Sequence, residues 1–260
     1  MENVVRVLST FALKGAIERL AGQCQATTQT RIAADFAPTL ALLKRLREGE
    51  VTDVVILTRE GLDELRTAGV VVAASCVDLA RSYVGLAVKA GHPHPDIATE
   101  ASLRKSLLNA RSVAYGRIGA SGIFFAKLIE RMGIAAEINA KATVTSGLTA
   151  ERLITGEADL AVQQISELKQ VGGIEVVGPI PHSLQTAGIF SAGRLVASDR
   201  IAPSERLLKF LASQEAVPVL VSAVWSSLEL VDRAGPTATR IQSGRDRRRA
   251  GRDRSNLDPF

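Results

Sequence analysis

The chain has 260 residues, of which 46% are hydrophobic and 23% charged, so it can bury one large core or two ordinary ones and is not disordered overall. Aromatic residues make up only 4%, which argues against sites built on base stacking or aromatic cages. Residues 232–260 hold eight arginines and four aspartates, so this tail supplies +4 of the +5 net charge; the body is near neutral, and no nucleic-acid partner is expected.

The first segment, Met1-Glu-Asn-Val-Val-Arg-Val-Leu, goes straight into a strand pattern over 4–8. It has neither the basic nor the apolar region of a secretory signal, so cytoplasm and periplasm both stay open. Apolar residues at helical spacing predict a helix over 11–20, followed by a strand over 31–36 and a helix over 40–46. Val54-Val-Ile-Leu57 reads as a strand buried on both faces. A helix over 60–68 then stops at Gly69.

The second half repeats the scheme, with strands over 83–89, 112–115, 142–145, 160–163, 175–177 and 186–191. Helices are predicted over 100–109, 123–132, 149–155, 165–170 and 204–211. Strands alternating with helices imply an α/β fold with largely parallel sheets, and eight to ten strands point to two lobes. No run of about 20 apolar residues spans a membrane. From Asp232 the periodicity collapses into Gly, Pro, Ser and Arg-Asp mixtures, which reads as a disordered basic tail.

No enzyme motif is complete. Gly116-Arg-Ile-Gly119-Ala-Ser-Gly122 has neither dinucleotide nor phosphate-loop spacing. His92, His94 and His182 lack partners at ligand spacing, so neither a metal nor a cofactor is expected. Cys24 and Cys76 are too few for a disulfide scaffold; they could pair with each other, but read rather as two buried free thiols.

What recurs is a hydroxyl residue between a strand end and a helix start: Ser9 and Thr10, Thr39, Thr58, Ser121 beside Gly122, Ser146 and Thr149. Each alone reads as an N-cap. Together, beyond the carboxyl ends of strands, they would surround an anion with neutral donors and helix N-termini.

These segments resemble the molybdate-binding proteins of bacterial ABC transporters. Val7-Leu-Ser-Thr-Phe-Ala-Leu-Lys-Gly15 is similar to that family's first strand-to-helix turn, and Phe36-Ala-Pro-Thr39, with Leu46-Arg-Glu-Gly49 and Asp53-Val-Val-Ile56, to its second motif. Gly119-Ala-Ser-Gly-Ile-Phe-Phe-Ala-Lys127, then Gly133, resembles the helix opening the second lobe's site. Gly156-Glu-Ala-Asp159-Leu-Ala-Val-Gln-Gln164 resembles its penultimate binding segment, with Gln164 where the family usually has tyrosine.

The resemblance runs over residues 4–225 and implies a two-lobed type II periplasmic-binding-protein fold with two crossover strands. Lobe I would be residues 1–82 and 190–231, lobe II residues 83–189, with a small anion held between them. It implies Ser9, Thr39, Ser121, Ser146 and Gln164 as side-chain ligands, and Thr10 and Gly122 as backbone donors. An ABC transporter permease would be the partner. Arg59, Arg81 and Arg117 lie beside these segments, and Arg117 and Arg81 are the candidate clamps should the ligand be a carboxylate. Aconitate isomerase is similar to this family in fold. The alternative function is therefore an isomerase of an unsaturated tricarboxylate, for which the matched segments offer no obvious base. A ligand-sensing module like that of LysR-type regulators is a third reading, but only three residues precede the first strand.

Overall fold

A computed structural model describes residues 3–224; Trp225, residues 226–231 of the expected first lobe and the tail 232–260 lie outside the described residues. The described chain forms two mixed sheets of five strands, each with helices on both faces. The first has the order β2-β1-β3-β10-β4, from β1 (Asn3–Ser9), β2 (Thr30–Phe36), β3 (Val54–Thr58), β4 (Val77–Ser82) and β10 (Gly188–Arg194). The second has the order β7-β6-β8-β5-β9, from β5 (Val84–Lys89), β6 (Val113–Tyr115), β7 (Ala142–Val144), β8 (Leu160–Gln164) and β9 (Ile174–Pro179). Thus the chain leaves one sheet at Ser82, enters the other at Val84, and returns with Gly188.

Alternation along the strands explains why both faces are covered. Val5, Val7, Val54 and Ile56 face one core of the first sheet, which α1 (Lys14–Thr28), α9 (Ile201–Leu211) and α10 (Val217–Val224) complete. Leu8, Val55 and Leu57 face the opposite core, closed by α2 (Thr39–Arg47) and α3 (Arg59–Thr67). In the second sheet Leu86, Val113, Tyr115 and Val162 meet α4 (Glu100–Asn109), α5 (Ala120–Arg131) and α6 (Ala135–Ala140). The other face is lined by Ala87, Ala114 and Ala161, small residues that let the one-turn helices α7 (Glu151–Ile154) and α8 (Ile165–Leu168) lie close to the sheet.

Several expectations need correction. The sheets are mixed: β10 runs antiparallel to β3 and β4, and β5 to β8 and β9. Both reversed strands are reached from the other sheet, so neither is joined to its neighbours by a strand–helix–strand crossover that would make them parallel. The helix expected over 11–20 starts as a 3-10 turn, Phe11–Leu13, and continues to Thr28. Its second half is polar, which hides the periodicity; Gln29, at φ 55°, closes it with its N–H on the Gln25 carbonyl at 3.0 Å. Strand β4 was not predicted because its Val-Asp-Leu-Ala-Arg-Ser pattern is that of a charged edge strand, paired only with β10. Both cysteines are free, and Cys76 is only half-buried.

Asp53 ties the base of the first sheet together. Its carboxyl accepts from the Arg6 N–H at 2.8 Å, the Arg6 guanidinium at 3.2 Å and the Ser198 hydroxyl at 2.9 Å. Burial alone would raise this carboxyl, but those hydrogen bonds outweigh it and hold Asp53 below the usual carboxylate range.

Candidate functional site

The carboxyl ends of β1, β2, β6, β7 and β8 all open onto one cavity between the two sheets, where ligands bind in open α/β folds. Thr10 and Phe11 follow β1, Pro38 and Thr39 follow β2, and Gly116 to Ser121 follow β6; Thr145, Ser146 and Gly147 follow β7. Gln163, Gln164 and Glu167 come from the end of β8 and from α8, and Phe190 of β10 supplies an apolar wall. The cavity is narrow, with a volume of about 20 Å³. A Leu40 N–H to Ile118 carbonyl bond of 3.3 Å and a Gln170 Nε2 to Phe11 carbonyl bond of 2.8 Å join the lobes beside it. The lobes are therefore drawn together at this point.

The two longer helices that start at the cavity have no side chain capping their N-termini, although in α2 the Leu40 N–H is taken by the Ile118 carbonyl. Helix α2 begins after Pro38 and α5 after Gly119, and neither first turn receives a side-chain cap. The first intrahelical bond of α5 runs from the Ile123 N–H to the Gly119 carbonyl, so the N–H groups of Ala120, Ser121 and Gly122 have no acceptor within the helix. In α4, which starts away from the cavity, Thr99 and Ser102 form a complete capping box. Thr58 likewise spends its hydroxyl on the Gly61 N–H of α3 at 3.3 Å, so it is a cap. Open N-termini present partial positive charge and unpaired donors to an anion.

Of the residues singled out from the sequence, Thr10, Thr39, Ser121, Ser146 and Gln164 line the cavity. Thr10 differs from expectation in its chemistry: its N–H is taken by the Ile56 carbonyl at 3.1 Å, while its buried Oγ1 has no partner. Ser9 lies behind the wall, fully buried, and its hydroxyl donates to the Thr10 carbonyl at 3.1 Å. Gly122 is also behind the wall, packed on the Gly116 backbone. Arg117 does not line the cavity and is exposed, as is Arg81. Arg59 pairs with Asp78 on another face. Among the described residues no Lys, Arg or His lines the cavity.

Sequence reading missed Glu167 and Gln163. Gln163 Oε1 accepts from the Thr149 N–H at 2.7 Å and the Thr149 hydroxyl at 3.0 Å, and its Nε2 donates to the Gly147 carbonyl at 3.2 Å. It thereby holds the whole loop after β7. Glu167 is buried, at 9% exposure, and burial pushes its carboxyl up to about 8 against the opposing hydrogen bonds from the Gln164 N–H and the Gln163 side chain. The signal in the sequence was the spacing of Gln164 and Glu167, a capping-box interval across the start of α8.

The bacterial extracellular solute-binding protein family matches residues 5–223, both lobes from first strand to last helix. The chain belongs to this family. An aconitate isomerase from Pseudomonas sp. is 33% identical to it over 221 residues, covering 82% of this chain and 84% of that protein. The Azotobacter vinelandii periplasmic molybdate-binding protein superposes with a TM-score of 0.72 at 16% identity, over 85% of this chain and 98% of that one. The sulfate-binding protein SubI of Mycobacterium tuberculosis does so with 0.70 at 13% identity, over 89% and 90%. The two structures share the type II periplasmic-binding-protein fold with this chain. No helix among the described residues is long and apolar enough to cross a membrane, and no cluster of metal-ligating side chains occurs among them.

Proposed function

We propose that this protein is an isomerase of a small unsaturated carboxylate, of the aconitate type. The observation that carries the reading is the 33% identity with an aconitate isomerase, which extends across both lobes and therefore across the cleft. The cavity fits an anion held by neutral donors: the hydroxyls of Thr10, Thr39, Ser121 and Ser146, the Gln164 amide, and the first-turn N–H groups of α5. In this reading residues 3–82 and 190–224 move as one lobe against 83–189, and the chain segments at Tyr83 and before Gly188 are the hinge.

Aconitate supplied as either the cis or the trans form, with the two forms followed by proton NMR, tests the proposal. Interconversion at a rate proportional to protein concentration is the expected result. Stabilisation by aconitate without interconversion would reject it.

A second reading, an oxyanion receptor for an ABC transporter permease, is favoured by the absence of any Lys, Arg or His from the described lining. Three carboxylates are ordinarily clamped by cations, whereas a compact oxyanion is satisfied by hydroxyls and amides. A rise in Tm with molybdate, tungstate or sulfate and none with either aconitate would select it.

A further inference from the structure

Glu167 is hard to explain as a structural residue. It sits at the third position of α8 and turns back to accept the Gln164 N–H, as a capping glutamate does. That duty occupies one acceptor of the carboxyl, and a glutamine would perform it without placing an ionisable group out of water. Such a buried carboxyl is usually matched by a cation, and among the described residues no cation bears on this one.

The elements packed against α8 are α1, α10, β5, β8, β9 and the 3-10 turn after β1. They contribute Lys14, Glu18, Arg19, Cys24, Lys89 and Glu175. Lys14 pairs with Glu18, and Glu175 with His94 at 2.8 Å. Arg19 bonds the Ser222 hydroxyl at 3.2 Å, and Lys89 is exposed. Among the described residues, the groups that bear on the Glu167 carboxyl are Gln164 and Gln163. Glu167 is also the only ionisable side chain among the described residues lining the cavity.

We propose that Glu167 is the acid–base catalyst of this cleft, taking a proton from the saturated carbon beside a substrate carboxylate and returning it to the far carbon of the allylic system. The inference rests on the isomerase reading. In the first half-step the C–H bond breaks, an O–H bond forms on Glu167, and the electron pair spreads over the alkene and the adjacent carboxylate. In the second half-step that O–H bond breaks, a new C–H bond forms at the other end, and the double bond has moved. Nothing is oxidised or reduced, and the enzyme regains its starting charge. One group must serve both half-steps because the described lining offers no second base.

With a carboxyl pushed up to about 8, the base form is the minor one at neutral pH. The kcat/KM should therefore rise about tenfold per unit below that pH and level off above it. The experiment compares the wild type, Glu167→Gln and Glu167→Asp on cis- and trans-aconitate, with kcat/KM measured from pH 6 to 9 and aconitate binding read from Tm. Glu167→Gln should lower kcat by about 10²- to 10⁴-fold while aconitate still raises its Tm. Glu167→Asp should keep part of the activity with a displaced rising limb. Wild-type turnover with Glu167→Gln within tenfold of it overturns the role of Glu167 and leaves the isomerase reading standing. Absence of wild-type turnover, with or without a Tm shift, overturns both. Should Glu167→Gln fail to fold, the wild-type profile decides, since a kcat/KM flat from pH 6 to 9 overturns the proposal.

Discussion

Gly122, in the first turn of α5, lies so close to Gly116 that a Cβ added to it would stand 1.6 Å from the Gly116 carbonyl oxygen. This contact sets the open N-terminus of α5 directly against the loop leaving β6, and both contribute to the cavity wall. A methyl group cannot be absorbed there, because the obstacle is backbone. Gly122→Ala should push the helix off the loop, cost about 1–3 kcal/mol, and remove ligand-induced stabilisation. Thermal melts with and without aconitate measure both; an unchanged ligand shift would show that the helix start does not shape the site.

Gln163 stands between the two faces of its loop, accepting twice from Thr149 and donating to Gly147. Gln163→Ala leaves the buried Thr149 N–H without its acceptor, a loss of about 1–3 kcal/mol. The same change frees Ser146, so affinity should fall along with stability. Urea unfolding and a binding titration read the two separately, and loss of stability alone would take Ser146 out of the ligand's reach.

The buried carboxyl of Glu167 makes stability depend on pH in an unusual direction. Its value in the folded protein, about 8, lies above the ordinary 4.5, so between these limits the folded state holds more protons than the unfolded one. Stability from this group is complete below about 4.5 and is lost as pH rises through 8. Glu167→Gln should therefore gain Tm relative to the wild type across that window, with the difference constant above it. Parallel Tm curves from pH 5 to 9 would mean that the carboxyl is not desolvated.

Asp53 has the opposite sign. Hydrogen bonds from Arg6 and Ser198 hold it below its ordinary 3.8, so it stabilises the fold above that value and the contribution fades as pH falls through its depressed one. Removing the carboxyl in Asp53→Ala strands the Arg6 N–H and the Ser198 hydroxyl and should cost about 3 kcal/mol. Since this network lies at the base of the first sheet, ligand affinity of the folded fraction should not change. Urea unfolding of the variant at pH 7 checks the magnitude; a change in affinity would show that strain from the sheet base reaches the cleft.

How much of this was readable beforehand differs from element to element. Val54-Val-Ile-Leu57 announced a doubly buried strand because no solvent-facing residue interrupts it, and α4 was predicted at its observed bounds, Glu100–Asn109. Strand β4 escaped because an edge strand needs only one partner and tolerates Asp78 and Arg81. The hydroxyl residues at strand ends could be found one at a time, since strand-to-helix turns follow local rules.

The sequence by itself determined the alternation of strands and helices and the supply of neutral donors at the strand ends, because both depend on neighbours within a few positions. Only the tertiary structure decided which donors meet. It turned Arg117 outward, placed Ser9 and Gly122 behind the wall, and gave Thr58 to a helix cap. It also brought Glu167 to the cavity and stripped it of water, though nothing in Ile165-Ser-Glu-Leu168 distinguishes that glutamate from one on an exposed turn. Desolvation is a property of everything packed around a group, so a carboxyl's chemistry is written in the fold rather than in its own segment.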